Sequence, residues 1–157
     1  MGDISALIEA YSGGAKLLND ALRSATNADL DSRPIFGKWS IREVFCHLAD
    51  SEIIYADRMK RVLAEDNPTF FEADPQLFGA ALVCRQRSLD NELGVVDAIR
   101  KHMLPILRSC DANDFQRTGV HSLDGQMTLQ TLLERITGHI PHHVEFIKDK
   151  LQATAGR

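Results

Sequence analysis

The stretch "SIREVFCHLADSEIIYADRMKRVLA", residues 40–64, carries the sharpest helix signal in the chain. Ser40 is a good N-cap residue, and Glu43 follows three residues later, where its carboxylate can bond back to the Ser40 backbone. Trp39 and Val44 occupy the two positions of a hydrophobic staple. These signals predict a helix that begins directly after Ser40 and runs to about the end of the quoted stretch.

One face of this predicted helix is apolar. At about 100° per residue from Val44, five apolar side chains fall within an arc of about 60°; they belong to Ile41, Leu48, Tyr55, Met59 and Val62. His47 lies about 60° to the other side of Val44, at the rim of this face. The helix therefore presents a histidine beside the core that it is expected to form.

Three other helices are predicted by the same periodicity. They cover roughly residues 4–25, 77–109 and 128–152, with Gly13 and Gly14 weakening the first and Pro105 bending the third or ending it early. No segment is convincing as a strand. Four long helices in 157 residues predict an all-α, four-helix bundle that forms one domain over residues 1–157. The connection between the second and third helices, "EDNPTFFEADPQ", is the longer one and contains two prolines.

The last helix contains an unusual run of histidines in "GHIPHHVEFIKDKL", residues 138–151. On the helical wheel His143 lies inside the apolar arc and His139 at its rim, whereas His142 points about 120° away from Ile136, which lies within the arc. Histidines at i and i+4 on one face can chelate one metal ion. Pro141 lies between them and is expected to kink the helix, which would adjust the aim of the two rings or be a harmless bend.

His47, His139 and His143 together make a candidate three-histidine metal site. Three neutral imidazoles would leave a divalent ion with an open position for water or substrate. Glu43, one turn before His47, could accept a hydrogen bond from the second ring nitrogen of that histidine. The alternative is that the three histidines lie at the core edge and bond to backbone carbonyls or waters.

Composition narrows the function. The formal net charge of −4 offers no general attraction to nucleic acid. The first residues lack the features of a signal peptide, and no apolar run is long enough to cross a membrane, so we expect a cytoplasmic protein. The three cysteines form no CxxC pair and are expected to be thiols, most of them buried. A di-iron bundle would need Glu-x-x-His pairs, which the sequence lacks.

Two segments, "GKWSIREVFCHLADSEIIYADRM" and "RTGVHSLDGQMTLQTLLERITGHIPHHVEFI", resemble the DinB/YfiT-like superfamily of metalloenzymes. The order and separation of the segments also match, although the middle third of the chain carries little of the likeness. The resemblance implies a four-helix bundle with a divalent ion, usually zinc or nickel, on His47, His139 and His143. It also implies a homodimer and an S-transferase or isomerase that uses a low-molecular-weight thiol such as bacillithiol, mycothiol or glutathione.

Two further residues are candidates for catalysis on a small-molecule substrate. Arg58 lies in line with His47 on the helical wheel and could bind a carboxylate of a thiol cofactor or substrate, or else form an ordinary ion pair, for example with Glu52. His121 precedes the last helix and could act as an acid or base, or else bond a backbone group. The chemistry would be attack by a metal-held thiolate or metal-dependent hydrolysis. A non-catalytic metal-binding or ligand-binding stress-response bundle is the alternative.

Overall fold

The computed structural model describes residues 4–155, so the five terminal residues of the predicted domain lie outside the described part. The architecture is the predicted four-helix bundle. Its long members are α4, Ile41–Ala64, α6, Leu89–Ser109, and α7, Leu129–Ala155. The fourth member is made of two shorter helices, α1, Ile4–Ser12, and α2, Gly14–Ala21. Among the described helices, none combines the length and the apolar character needed to span a membrane.

Helix α4 begins where the sequence predicts. The Ser40 hydroxyl accepts a hydrogen bond from the Glu43 backbone N–H at 3.2 Å, and the Glu43 carboxylate accepts one from the Ser40 N–H at 2.7 Å. This reciprocal pair satisfies two backbone donors that the first turn would otherwise leave without partners. The start of α4 is therefore fixed by local chemistry.

The first predicted helix is wrong in one respect, because it breaks at Gly13 and ends earlier than Ala25. The Arg100 side chain of α6 lies against Gly14, and its Nη1 donates to the Tyr11 carbonyl at 2.6 Å. In a continuous helix the Tyr11 carbonyl would accept the N–H four residues later. A buried arginine from another helix therefore occupies the space and takes the acceptor at the break.

Gly14→Ala is expected to lower the free energy of unfolding by about 1–3 kcal/mol, as overpacking of a filled core does. The added Cβ would overlap the Arg100 guanidinium, which cannot swing away without losing its buried bonds. Chemical unfolding of Gly14→Ala beside a control variant measures this loss of stability. Gly13→Ala is the matched control, because its Cβ meets only backbone oxygens at 3.7 and 3.9 Å. Equal stability of the two variants would contradict the packing argument.

The third predicted helix is also interrupted. It consists of α5, Pro75–Ala81, a 3₁₀ turn at Cys84–Gln86, and α6. Val83, between α5 and the turn, has φ 45°, a left-handed conformation that a β-branched residue rarely adopts. Pro105 does not end α6, which continues to Ser109.

Segments predicted as loops contain regular structure. A short helix, α3, covers Asn27–Leu30, and three strands form a small sheet: β1, Thr69–Phe70, β2, Thr118–His121, and β3, Gly125–Thr128. β2 lies in the middle, parallel to β1 and antiparallel to β3. The expectation that no strand would form is wrong, because segments of two to four residues are too short to show a periodicity. The sheet joins the long α4–α6 connection to the hairpin before α7 and so positions His121.

The bundle interior is divided into two apolar clusters by a buried polar layer. One cluster includes Met59, Met103 and Leu132, and the other includes Leu48, Val96 and Ile140. Between them, Arg100 pairs with Glu52, each about 1% exposed. The Arg100 Nη2 also donates to the Ile136 carbonyl of α7 at 3.1 Å. This layer ties α1, α4, α6 and α7 together next to the histidines.

Candidate metal centre

The structure brings His47 of α4 together with His139 and His143 of α7. The Nε2 atoms of His47 and His139 are 2.9 Å apart, and the centroids of the three rings are 4.7–5.0 Å from one another. One ring nitrogen from each residue lies within 4.8 Å of the other two. Pro141 lies inside a helix that runs through the whole site, so it leaves the i, i+4 pair on one face. The exposed His142 takes no part in this cluster.

Burial keeps the three imidazoles neutral. It is the main cause that lowers the pKa of His139 to about 3 and that of His143 to about 4, and the neighbouring His47 contributes to both shifts. Burial also lowers the pKa of His47. Neutral rings retain the lone pairs that metal binding requires.

Two ring nitrogens of the cluster lack the hydrogen-bond partners that the alternative interpretation expects. Within residues 4–155, the Nδ1 atoms of His139 and His143 are buried and have no hydrogen-bond partner. Native interiors leave few such atoms unsatisfied. The alternative that backbone carbonyls hold these two nitrogens is therefore wrong for the described chain. A set of three neutral imidazoles suits zinc, nickel and related divalent ions.

Glu43 does not support His47 as predicted. One carboxylate oxygen accepts the Ser40 N–H and the other pairs with Arg33. The capping role thus directs the carboxylate toward the helix start. Trp39 instead lies beside His47, with ring centroids 5.1 Å apart.

The cysteines do not join the cluster. All three are free, and two of them, Cys46 and Cys84, are buried. Cys46 donates a hydrogen bond to the Cys84 carbonyl at 3.7 Å, and burial raises the pKa of its thiol to about 12. A protonated, buried thiol of this kind is a poor nucleophile.

The histidines line open cavities. His47 and His139 lie on the wall of a cavity of about 490 Å³, which also contacts Arg58 and His121. A second cavity of about 340 Å³ shares His47 and Asp50 with the first and extends beneath α5. Volumes of this size accommodate small molecules. The open surroundings favour a catalytic site, since a purely structural metal site would be closed.

Arg58 reaches the larger cavity but does not make the predicted ion pair with Glu52, because Glu52 pairs with Arg100. The Arg58 side chain is 5% exposed, and its Nη2 donates to the Phe71 carbonyl at 2.6 Å. Its guanidinium carbon lies 5.2 and 5.5 Å from the ring centroids of Tyr55 and Phe70. Aromatic contact and one carbonyl thus hold the guanidinium in place.

His121 bonds backbone groups, which was one of its two predicted roles, and its ring also lines the larger cavity. Its Nδ1 accepts hydrogen bonds from the backbone N–H groups of Leu123 and Asp124 at 3.3 and 3.1 Å. The ring proton therefore resides on Nε2, which lies 3.1 Å from a carboxylate oxygen of Glu72. Glu72 also lines the larger cavity, although no sequence signal marks it as a functional residue within its polar connection.

Asp50 and Asp124 are further cavity residues, and both are engaged. Asp50 makes a bidentate pair with Arg87 at 2.8 and 3.0 Å. Asp124 pairs with Arg135, and this contact lowers the pKa of the aspartate. Neither carboxylate is free to act as a base on the histidine side of the cavity.

Comparisons with known proteins agree with this geometry. A family model described as the DinB superfamily matches residues 10–147. A protein of Oceanobacillus iheyensis is 27% identical over 132 residues, which are 84% of this chain and 76% of that protein. One from Bacillus licheniformis is 28% identical over 146 residues, 90% and 83% of the two chains. Both carry the name "Putative metal-dependent hydrolase".

Solved structures with the same fold are also found. YfiT from Bacillus subtilis, described as having "an unusual four-helix bundle topology", superimposes with a TM-score of 0.90 at 22% identity, covering 97% of this chain and 87% of YfiT. The four-helix bundle protein TT2238 gives a TM-score of 0.66 at 21% identity, covering 94% and 99%. These two structural similarities show the fold alone. Because the family model covers most of its length, the chain belongs to the DinB superfamily.

Proposed function

We propose that the protein is a divalent-metal-dependent S-transferase or isomerase that joins a low-molecular-weight thiol to a small electrophile. The observation that carries this proposal is the convergence of three neutral imidazoles, two of which, His47 and His139, lie on the wall of an open cavity. His47, His139 and His143 would hold the ion, with zinc or nickel as the metals that suit this donor set. When bound, the ion supplies positive charge that lowers the pKa of a coordinating thiol, so that the sulfur reacts as a thiolate.

The roles of the protein side chains follow from their positions. The three histidines would bind and orient the metal ion. The rings of Tyr55 and Phe70 beside Arg58 would restrict water at one end of the cavity. His121 carries its proton on Nε2 at the cavity wall, where it would donate to a departing group. In the transfer, the sulfur lone pair forms the new S–C bond, the leaving group departs with its bonding electrons, and the thiol proton passes to solvent.

Metal-dependent hydrolysis is the second candidate, and the names of the relatives favour it. A general base that takes a proton from the attacking water would assist hydrolysis, in addition to the effect of the ion on the pKa of bound water. Asp50 and Asp124 are committed to arginine pairs, which leaves the Glu72–His121 pair as the candidate base. The pKa of a thiol lies far below that of water before either binds an ion, so a metal-held thiol loses its proton to solvent more readily, and for this reason we rank thiol transfer first. A non-catalytic, metal-binding stress-response bundle is the remaining alternative.

The thiol assay tests the proposal directly. Zinc-loaded and nickel-loaded protein are each incubated with glutathione or bacillithiol and 1-chloro-2,4-dinitrobenzene, and the thioether is measured by its absorbance. The expected result is a metal-dependent rate that His143→Ala lowers at least 100-fold, because the variant loses one of the three metal-binding side chains.

Parallel assays separate the alternatives. Turnover of 4-nitrophenyl acetate without any thiol, lost in the same variant, would favour the hydrolase and contradict the transferase. Loaded protein that is inactive in both assays with a broad substrate panel would favour the non-catalytic bundle. A homodimer, a cytoplasmic location, and the lack of nucleic-acid or membrane partners stay predictions.

A further inference from the structure

A third cavity, of about 230 Å³, lies beside the histidine cluster. His143 lines it, although this histidine lines neither of the two larger cavities. Its apolar walls come from Trp39, just before α4, from Val44 on α4 and from Phe146 on α7. Within residues 4–155, no aspartate or glutamate lines this cavity. Its walls therefore carry no negative charge that would repel an anionic ligand.

Lys150 of α7 is a buried cation on the wall of this cavity. It is 4% exposed, and its one hydrogen bond in the described chain is a long one, 3.5 Å from Nζ to the Phe146 carbonyl. Nζ also lies 5.7 Å from the centroid of the Phe146 ring. The adjacent Asp149 acts on Lys150 electrostatically, but it is exposed and makes no ion pair with it. An ammonium carries three donors, so two of them remain for a ligand.

Lys38, in the loop before α4, brings a second positive charge to the same cavity. Burial is the main cause that lowers the pKa of Lys150; Asp149 opposes this shift, and the charge of Lys38 adds to it. Two like charges that face one small cavity repel each other, and an anion bound between them would remove that repulsion. A buried ammonium with so few partners is costly, and a bound anion would offset this cost as well.

The character of the walls indicates which anion fits. Lysine binds phosphate as a point charge. A phosphate monoester carries a charge of about −1.5 to −2 at neutral pH and has three acceptor oxygens, enough to serve both Lys38 and Lys150. A free phosphate ion would leave the aromatic walls of Trp39 and Phe146 without a partner, whereas an ester with an apolar body would cover them.

We propose that this third cavity binds a small phosphate monoester, whose phosphate contacts Lys150 and Lys38 and whose apolar body packs against Trp39 and Phe146. Lys150 borders neither of the larger cavities, so the site is distinct from the space in which a thiol and an electrophile would react. The inference does not depend on the proposed function. Because His143 borders the site, a ligand bound there lies next to the candidate metal centre.

Titration of tryptophan fluorescence with phenyl phosphate tests the site, because Trp39 is the only tryptophan of the chain and lines the cavity. The full chain is used as purified, and calorimetry measures the same affinity independently. The expected result is saturable binding that weakens by about tenfold or more in Lys150→Met, as loss of a charge-assisted bond would. Lys38→Gln should weaken it by a smaller factor, because Lys38 is exposed to solvent.

Lys148→Met is the matched control, because Lys148 belongs to the same helix but is exposed and paired with Glu145. Its affinity for phenyl phosphate should equal that of wild type. Lys150→Met is expected to fold, since it keeps an apolar stem and removes a buried charge, and circular dichroism checks this. Equal affinity of Lys150→Met and wild type, or no binding to wild type by either method, would overturn the inference.

Three further arms test the class of ligand and its place. Benzoate keeps the ring but has a single charge, and inorganic phosphate keeps the charge but has no ring, so both should bind more weakly than phenyl phosphate. Benzoate that binds as tightly would overturn the phosphate assignment, and inorganic phosphate that binds as tightly would overturn the ester. Protein stripped of metal by a chelator should keep its affinity. Loss of binding in stripped but folded protein would show that the phosphate contacts a metal ion, and this too would overturn the inference.

Discussion

Replacing His143 with alanine is expected to lower bound divalent metal from near one equivalent per chain to below about a tenth after dialysis. Loss of a direct ligand should weaken metal binding by more than the 10–100-fold that changes to a ligand's hydrogen-bond partner cause. Two imidazoles, His47 and His139, would remain, and they cannot complete the three-ligand set of an open site. Elemental analysis of untagged protein measures the metal content, and competition with a chelator measures the affinity for the metal.

His142→Ala is the control for this experiment, because the exposed neighbour lies on the same turn but outside the cluster. Its metal content should match that of wild type. Wild-type protein that stays metal-free after incubation with zinc and with nickel would remove the proposed chemistry. Equal metal retention by His143→Ala would show that the ion lies elsewhere.

Arg100→Ala is expected to produce the largest loss of stability, about 3–5 kcal/mol, because it leaves Glu52 as an uncompensated buried charge. Arg100 is also bonded to the carbonyls of Tyr11 and Ile136, so three helices lose a shared partner. Its guanidinium lies 4.4 Å from the Tyr11 ring centroid, and this contact is lost as well. Guanidinium chloride unfolding followed by circular dichroism gives the change in free energy.

The adjacent residue supplies a control on the same helix. Lys101 pairs with Asp97, but both side chains are largely exposed, at 72% and 45%. Exposed pairs of this kind contribute little to stability, so Lys101→Ala should unfold at nearly the denaturant concentration of wild type. A loss below about 1 kcal/mol in Arg100→Ala would contradict a central role for the polar layer.

The sequence alone could predict the bundle and the histidine cluster. The α4 start depends on the Ser40–Glu43 capping pair, which is a local interaction. The burial of one face of α4 and α7 follows from the helical period, and this period places His47, His139 and His143 beside the core. Helix capping and helical periodicity depend on residues that are close together in the chain, so they can be recognised from the sequence alone.

Tertiary structure decided the features that depend on residues far apart in the chain. The first helix breaks because Arg100, some 86 positions after Gly14, occupies the space beside it. Short strands form because β2 pairs with β1, about 50 residues earlier. Arg58 likewise does not form its predicted pair with Glu52, because Arg100 takes that carboxylate. Such outcomes are set by competition among distant groups for the same partner or volume, and a periodic pattern does not encode that competition.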